Sequence, residues 1–113
     1  MRNKVILEKS FERPAKQLRK RYPSFPSDLL TLIEELESNA LLGTSIGGNV
    51  RKVRLAIRSK GKGKSGGARV ITYVYISDSR VHLLTIYDKS DRAAISNEEI
   101  RELIAGIGKE RLA

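Results

Sequence analysis

The central segment of the chain, Asn49 to Ile76, has the sequence NVRKVRLAIRSKGKGKSGGARVITYVYI. It contains eight of the 22 Lys and Arg residues, and no acidic residue occurs between Glu37 and Asp78. β-Branched and aromatic residues crowd both flanks and glycines occupy the centre, a pattern typical of two strands joined by a loop. We therefore predict a basic β-hairpin, whose charge favours an anionic partner.

Alternation along the first of these strands predicts an aligned row of cations. Lys52, Arg54 and Arg58 would project from one side and the intervening apolar residues from the other. The second strand is apolar on both faces beyond Arg69, which is typical of a central strand with Arg69 at the rim of a concave site. The alternative is a solvated basic edge that deters strand-to-strand aggregation.

The overall composition sets the class of protein. With 113 residues the chain is predicted to form a single domain over residues 1–113. A net charge of +9 favours nucleic acid, an acidic protein or an anionic membrane surface as partner. The chain has no cysteine, which excludes disulfides and thiolate metal sites. No run approaches a membrane span and the beginning lacks a secretory signal, so we predict a cytoplasmic protein with no membrane partner.

The first half of the chain predicts one strand and a helical hairpin. Residues 3–8 form a short apolar run typical of a strand. From Ser10 the apolar residues recur at helical intervals until Tyr22-Pro23 ends the helix. Ser24 is predicted to cap a second helix. Residues 39–48 are predicted to be a loop leading into the basic hairpin.

The second half predicts a further strand and a final helix. RVHLLTIY, residues 80–87, is predicted to be an antiparallel strand beside residues 69–76. Ser96 and Glu99 have the spacing of a capping box, with Ile95 and Ile100 placed as a hydrophobic staple. The predicted order is β-α-α-β-β-β-α, a compact α+β domain with a mainly antiparallel sheet.

The glycine and lysine loop is not predicted to bind a nucleotide. Residues 63–65, GKS, match the end of a phosphate loop, but Arg58 stands where a glycine is required and a strand follows instead of a helix. The loop suits the tracking of a polyanionic backbone by Lys60, Lys62 and Lys64. An ordinary disordered turn is the alternative.

No metal or cofactor is predicted. His82 is the only histidine, and a single histidine within an apolar strand is more often a packed residue than a ligand. The acidic residues lie mainly on predicted helix surfaces, which disfavours a carboxylate metal site.

One chemistry needs neither metal nor histidine, because RNA supplies its own nucleophile, the 2′-hydroxyl. The protein then has to position the strand, move a proton and neutralise charge on the five-coordinate phosphate. Several nearby cations can depress the pKa of a lysine so that it acts as a base, and arginine stays charged and stabilises the transition state. Tyr87 or Lys89 could protonate the departing 5′ oxygen.

KVRLAIRSKGKGKSGGARVITYV, followed by LLTIYDKS and a capped helix, resembles the RelE/ParE superfamily of bacterial type II toxins, closest to the RelE and HigB-like branch. The resemblance covers nearly the whole chain. It implies a compact α+β ribonuclease that enters the ribosomal A site, cuts mRNA without metal and is neutralised by a cognate antitoxin.

The resemblance also implies roles for individual residues. By position, Lys52 and Arg54 are RNA-positioning and acid/base candidates, Arg69 is the candidate transition-state stabiliser, and Tyr87 and Lys89 are further catalytic candidates. The sequence departs from the RelE pattern twice. An expected arginine after Lys89 is Ser90, and a late tyrosine falls at Ser96.

Two other functions share these features. A ParE-like gyrase poison would have the same fold and act on another target without cutting RNA. A non-catalytic nucleic-acid-binding module would show steeply salt-dependent binding without product.

Overall fold

The structure, a computed structural model, describes residues 2–61 and 63–107 and only the backbone of Lys64 and Ser65. Within these residues the strands are β1 (Lys4–Leu7), β2 (Thr44–Gly47), β3 (Val50–Leu55), β4 (Ala68–Tyr75) and β5 (Arg80–Asp88). The helices are α1 (Lys9–Arg21), α2 (Phe25–Ser38), the single turn α3 (Gly63–Gly66) and α4 (Asn97–Ala105).

The described strands form one sheet in the order β1-β5-β4-β3-β2. β1 runs parallel to β5, and the other neighbouring pairs are antiparallel. The predicted α+β fold with a mainly antiparallel sheet is confirmed. β1 can join the far edge because α1 and α2 carry the chain back across one face of the sheet before β2 begins.

Helices cover both faces of the sheet. Phe11 and Leu18 of α1 and Leu32 of α2 are buried in one apolar cluster against the sheet. On the opposite face, Ile100 of α4 packs in a second cluster with Ile71 of β4. Among the described residues, none of the helices is long and apolar enough to cross a lipid bilayer.

β4 is the central strand, as its apolar character on both faces predicts. Val70 belongs to the cluster beneath α1 and α2, and Ile71 belongs to the cluster beneath α4. A slip of one residue would exchange the two faces, so burial on both sides fixes the register of β4.

The predicted loop at residues 39–48 contains an additional strand, β2, and the prediction was wrong there. Thr44 pairs with Lys52 and Ser45 with Arg51 across the antiparallel β2–β3 ladder. β2 is an edge strand of four residues, most of them exposed, with Ile46 as its one large apolar residue. Such a segment carries too little apolar alternation to be recognised as a strand.

α4 begins as predicted, with one difference. The Ser96 Oγ accepts a hydrogen bond from the Glu99 N–H at 3.1 Å, and Ile95 and Ile100 lie in the same apolar cluster. The Glu99 carboxylate binds Arg92 instead of completing the capping box. Ser96, at the place of the late tyrosine, therefore has a structural role.

Gly67 lies where the start of β4 packs closely against the backbone of Leu55 at the end of β3. A methyl group on Gly67 would lie 2.0 Å from the Leu55 carbonyl oxygen. Because backbone atoms cannot rotate aside, we expect Gly67→Ala to lower the free energy of unfolding by about 2–3 kcal/mol, measured by denaturant titration. The matched control is Gly106→Ala, where the added methyl would meet nothing closer than 3.4 Å. Equal unfolding free energies for the two variants would contradict this close approach.

Candidate active site on the sheet face beneath α4

Three of the candidate catalytic side chains form a row across neighbouring strands. Arg54 of β3 lies opposite Arg69 of β4, and Arg69 lies opposite Tyr87 of β5. Neighbouring strands are about 4.8 Å apart, so the row spans about 10 Å between the outer backbones. Tyr87 belongs to the cluster beneath α4, which places the row on that face of the sheet. We call Arg54, Arg69 and Tyr87 the cationic row.

Lys52 lies on the same face of the sheet, two residues before Arg54 in β3. It is half-buried and pairs across the ladders with Thr44 on one side and Ile71 on the other. The predicted alignment of Lys52 with Arg54 is therefore observed. The structure brings Lys52, Arg54 and Arg69 onto one face of the sheet, and their catalytic roles stay predictions.

Arg69 is buried, with 4% of its surface exposed. One of its guanidinium nitrogens donates to the Ala68 carbonyl oxygen at 3.2 Å. Its charge reaches the neighbouring phenol, since it acts to lower the pKa of Tyr87. The guanidinium is thus buried, and it lies close enough to Tyr87 for its charge to act on the phenol.

Tyr87 is the other buried member of the row. Burial raises the pKa of Tyr87, and the nearby charges of Arg69 and Arg92 only partly oppose this effect. Within the described part of the chain its hydroxyl has no hydrogen-bond partner. A phenol with a raised pKa stays protonated at neutral pH, so Tyr87 is suited to donate a proton and not to abstract one.

Arg92 was missed by sequence reasoning. Its guanidinium carbon lies 5.2 Å from the centroid of the Tyr87 ring, and its terminal nitrogen pairs with the Glu99 carboxylate at 2.8 Å. The signal in the sequence was the Glu99 of the capping box, seven residues after Arg92 and therefore available as an anchor. Arg92 brings an arginine to the site although Ser90 stands where one was expected.

Lys89 lies at the exposed end of the site, directly after β5. Its backbone N–H donates to the Gly67 carbonyl oxygen at 3.1 Å, which joins the end of β5 to the start of β4. The backbone of Lys89 is thereby fixed beside the cationic row.

Arg58 does not continue the row, and this part of the prediction was wrong. β3 ends at Leu55, and Arg58 lies in a 3-10 turn where its Nε pairs with the Asp28 carboxylate of α2 at 2.9 Å. The Ser24 hydroxyl also donates to that carboxylate, at 2.6 Å. Ser24 was predicted to cap α2, but its side chain makes no capping hydrogen bond. Arg58 anchors the turn to α2 because strand alternation stops before it.

Lys60, predicted to track an RNA backbone, is part of the protein interior. Its Nζ donates to the Asp88 carboxylate at 2.7 Å and to the Ser90 Oγ at 2.9 Å, and only 6% of its side chain is exposed. The partner lies 28 residues away, so the spacing of lysines in the loop gives no sign of it. Lys60 therefore fastens the loop and does not present its charge to solvent.

The other two loop lysines stay predictions. Lys62 lies outside the described residues, as does the side chain of Lys64.

Asp88 is the centre of a buried ionic network. Its side chain is fully buried and accepts hydrogen bonds from Lys60, from Arg21 at 2.8 Å, from the Tyr22 hydroxyl at 2.5 Å and from the Ser90 N–H at 2.8 Å. Burial alone would raise the pKa of Asp88, but these donors together hold it well below its usual range. Ser90, the other departure from the RelE pattern, thus completes this network.

His82 is the packed residue that the sequence predicts. It is 1% exposed, and its Nδ1 lies 2.8 Å from the Glu8 carboxylate. Within the residues that the structure describes, no group of three or more His, Asp or Glu side chains is placed to hold a metal ion.

Comparison with known proteins decides the family. Residues 3–111 match the family model described as the RelE toxin of the RelE / RelB toxin-antitoxin system. The chain belongs to the RelE toxin family. Among solved structures it is similar to a free-state double arginine-to-alanine mutant of the E. coli toxin RelE. The TM-score is 0.58 at 15% identity, over 95% of this chain and 99% of that one. At that identity the similarity shows the RelE fold alone, and the HigB-like branch stays a prediction.

Asp88 predicts a dependence of stability on pH. Because its pKa is lowered in the folded state, its stabilisation is fully present above the unfolded pKa of about 3.9 and is lost as pH falls below that value. We expect Asp88→Asn to lower the free energy of unfolding at pH 7 by about 3 kcal/mol or more, since Lys60 loses its buried partner. The variant should also lose much of the decline in stability between about pH 4 and pH 2.

The control for this measurement is Asp78→Asn. The Asp78 side chain is 57% exposed and pairs with Arg80 at 3.1 Å. Its replacement should change the free energy of unfolding by less than about 1 kcal/mol. If both variants unfold alike at pH 7, the Asp88 network does not stabilise the fold.

Proposed function

We propose that this RelE-family toxin is a ribosome-dependent endoribonuclease that cleaves mRNA in the ribosomal A site without metal. The 2′-oxygen forms a bond to the adjacent phosphorus and the bond from phosphorus to the 5′ oxygen breaks. The products are a 2′,3′-cyclic phosphate and a 5′-hydroxyl. The reaction needs one proton removed from the 2′-hydroxyl and one delivered to the 5′ oxygen.

The cationic row is the observation that carries this proposal. It holds two positive charges and one neutral phenol side by side on a rigid sheet, kept in register by antiparallel pairing. Fixed donors aimed at developing negative charge are the largest single source of stabilisation in many enzymes. Arg54, the exposed member of the row on β3, is the group that can reach a phosphate oxygen.

The proton-transfer roles follow from burial and position. Tyr87 is the proposed general acid, because its raised pKa keeps the phenol protonated, and Arg92 holds the ring from one side. Lys52 is the proposed base beside Arg54. Lys89, at the exposed end of β5, is the alternative donor to the 5′ oxygen.

The partners follow from the family and from charge. Membership of a toxin-antitoxin family implies an antitoxin partner, and mRNA and the ribosomal A site are the proposed targets. The antitoxin is proposed to present acidic or apolar segments, because the chain carries a net charge of +9. A cytoplasmic location is proposed because translating ribosomes are the target.

The test compares matched arginine variants on translated mRNA. We expect Arg69→Ala to abolish cleavage, and the exposed Arg54→Ala to slow it by about 10²–10³, the usual effect of removing a transition-state donor. Arg101→Ala, an exposed arginine of α4, is the charge-matched control and should cleave like the wild type. The measurement is the mapping of 5′ ends on translated mRNA, with the cyclic phosphate of the product identified by mass spectrometry.

Arg54→Ala keeps the test valid if Arg69→Ala is unstable, because Arg54 lies at the surface. Cleavage by Arg54→Ala at the wild-type rate would overturn the assignment of the site. DNA damage with intact mRNA would instead identify a gyrase poison. Salt-dependent RNA binding without product would identify a binding module.

A further inference from the structure

A cleft opens where β5 extends beyond β1. The last pair between the two strands joins Leu7 and Leu83, so among the described residues no strand continues β1 beside Thr85 to Asp88 of β5. A cleft of about 620 Å³ lies there between α1 and α4. The side chains on which its chemistry depends are Lys9, Arg13, Gln17, Arg21, Tyr87 and Arg92.

The carboxylates of the cleft are already neutralised. Asp91 pairs with Arg21 at 3.0 Å, Glu99 pairs with Arg92 at 2.8 Å, and Asp88 is held by Arg21 and by Lys60 from behind. These pairs hold Arg21 and Arg92 in place without cancelling the remaining charge of the wall. Arginines fixed in this way lose little side-chain entropy when they meet an anion.

α1 adds an excess of positive charge to one wall of the cleft. Its 13 residues contain a single acidic residue, Glu12. Its basic residues are Lys9, Arg13, Lys16, Arg19, Lys20 and Arg21, of which Lys9, Arg13 and Arg21 line the cleft. Arg13 lines the cleft and makes no ion pair with any residue that the structure describes. A wall of this kind attracts a polyanion.

The cleft is continuous with the cationic row. Tyr87 ends the row opposite Arg69 and also lines the cleft, and Arg92 lies over its ring. An RNA strand that lies across Arg54 and Arg69 would pass Tyr87 and enter the cleft. Pro14, Leu18 and Leu103 give the cleft an apolar part that can receive a ribose or a base face.

We propose that the α1–α4 cleft binds the phosphodiester backbone of RNA next to the segment held by the cationic row. This inference rests on the proposed function, since it assumes that the row holds RNA. Arg13 supplies an unpaired charge for a phosphate, and Arg21 and Arg92 supply positioned donors. The cleft thereby extends the binding surface around the free edge of β5.

The test reverses one charge in the cleft and one outside it. Arg13→Glu alters the α1–α4 cleft, and Lys16→Glu makes the same change of charge on the same helix at the groove between α1 and α2. The probe is a short single-stranded RNA with 2′-O-methyl groups, which cannot be cleaved, titrated by fluorescence anisotropy over a range of KCl concentrations. We expect Arg13→Glu to weaken binding about tenfold more than Lys16→Glu. It should also reduce the salt slope by about 0.7 for each phosphate that the variant no longer neutralises.

A second arm of the test shows whether the RNA in the cleft is ribosomal RNA or the mRNA that is cleaved. Co-sedimentation with small ribosomal subunits is measured for the same two variants. A specific decrease with Arg13→Glu only in this arm assigns the cleft to ribosomal RNA, and a decrease with the oligonucleotide assigns it to the cleaved strand. Equal behaviour of the two variants in both arms overturns the inference. The proposed function is tested separately, by the rate at which Arg54→Ala cleaves translated mRNA.

Discussion

The antiparallel pairing of β3, β4 and β5 is the constraint on which the rest of the structure depends. It sets Arg54, Arg69 and Tyr87 opposite one another, and a slip of one residue would turn each of them to the other face. β4 resists such a slip because it is buried on both sides. The close approach of Gly67 to Leu55 fixes the same hairpin at its loop end. The geometry of the cationic row is therefore a product of sheet register.

Some cationic side chains bind the buried carboxylate of Asp88, and others lie on the opposite face of the sheet. Lys60 and Arg21 converge on its buried carboxylate and stabilise the fold, as Arg58 does at Asp28. Arg54 and Lys52 lie on the opposite face of the sheet, away from this network. Because the ionic network and the cationic row use opposite faces of the sheet, the charges of Lys52 and Arg54 are not engaged by the Asp88 network.

Sequence reasoning succeeded where the information is local. Alternation placed Lys52 and Arg54 on one face, and apolar residues on both sides of β4 marked it as the central strand. It failed where a partner is distant: Lys60 was assigned to RNA because Asp88 cannot be recognised as its partner from spacing alone. Arg92 was missed although Tyr87 and Glu99 are near it in the sequence, because the segment after β5 has no periodic pattern that would place its side chain over Tyr87. β2 was missed because a four-residue edge strand with one large apolar residue, Ile46, carries no clear period.

The most direct measurement is a crystal structure of the chain with a short RNA whose 2′-hydroxyl at the cleavage site is methylated. We expect the phosphate that follows this ribose to lie over the cationic row, with an oxygen within hydrogen-bond distance of Arg54 and the 5′ oxygen nearest Tyr87. A phosphate seated instead at the turn that contains Arg58, or along the β2 edge, would contradict the proposed site.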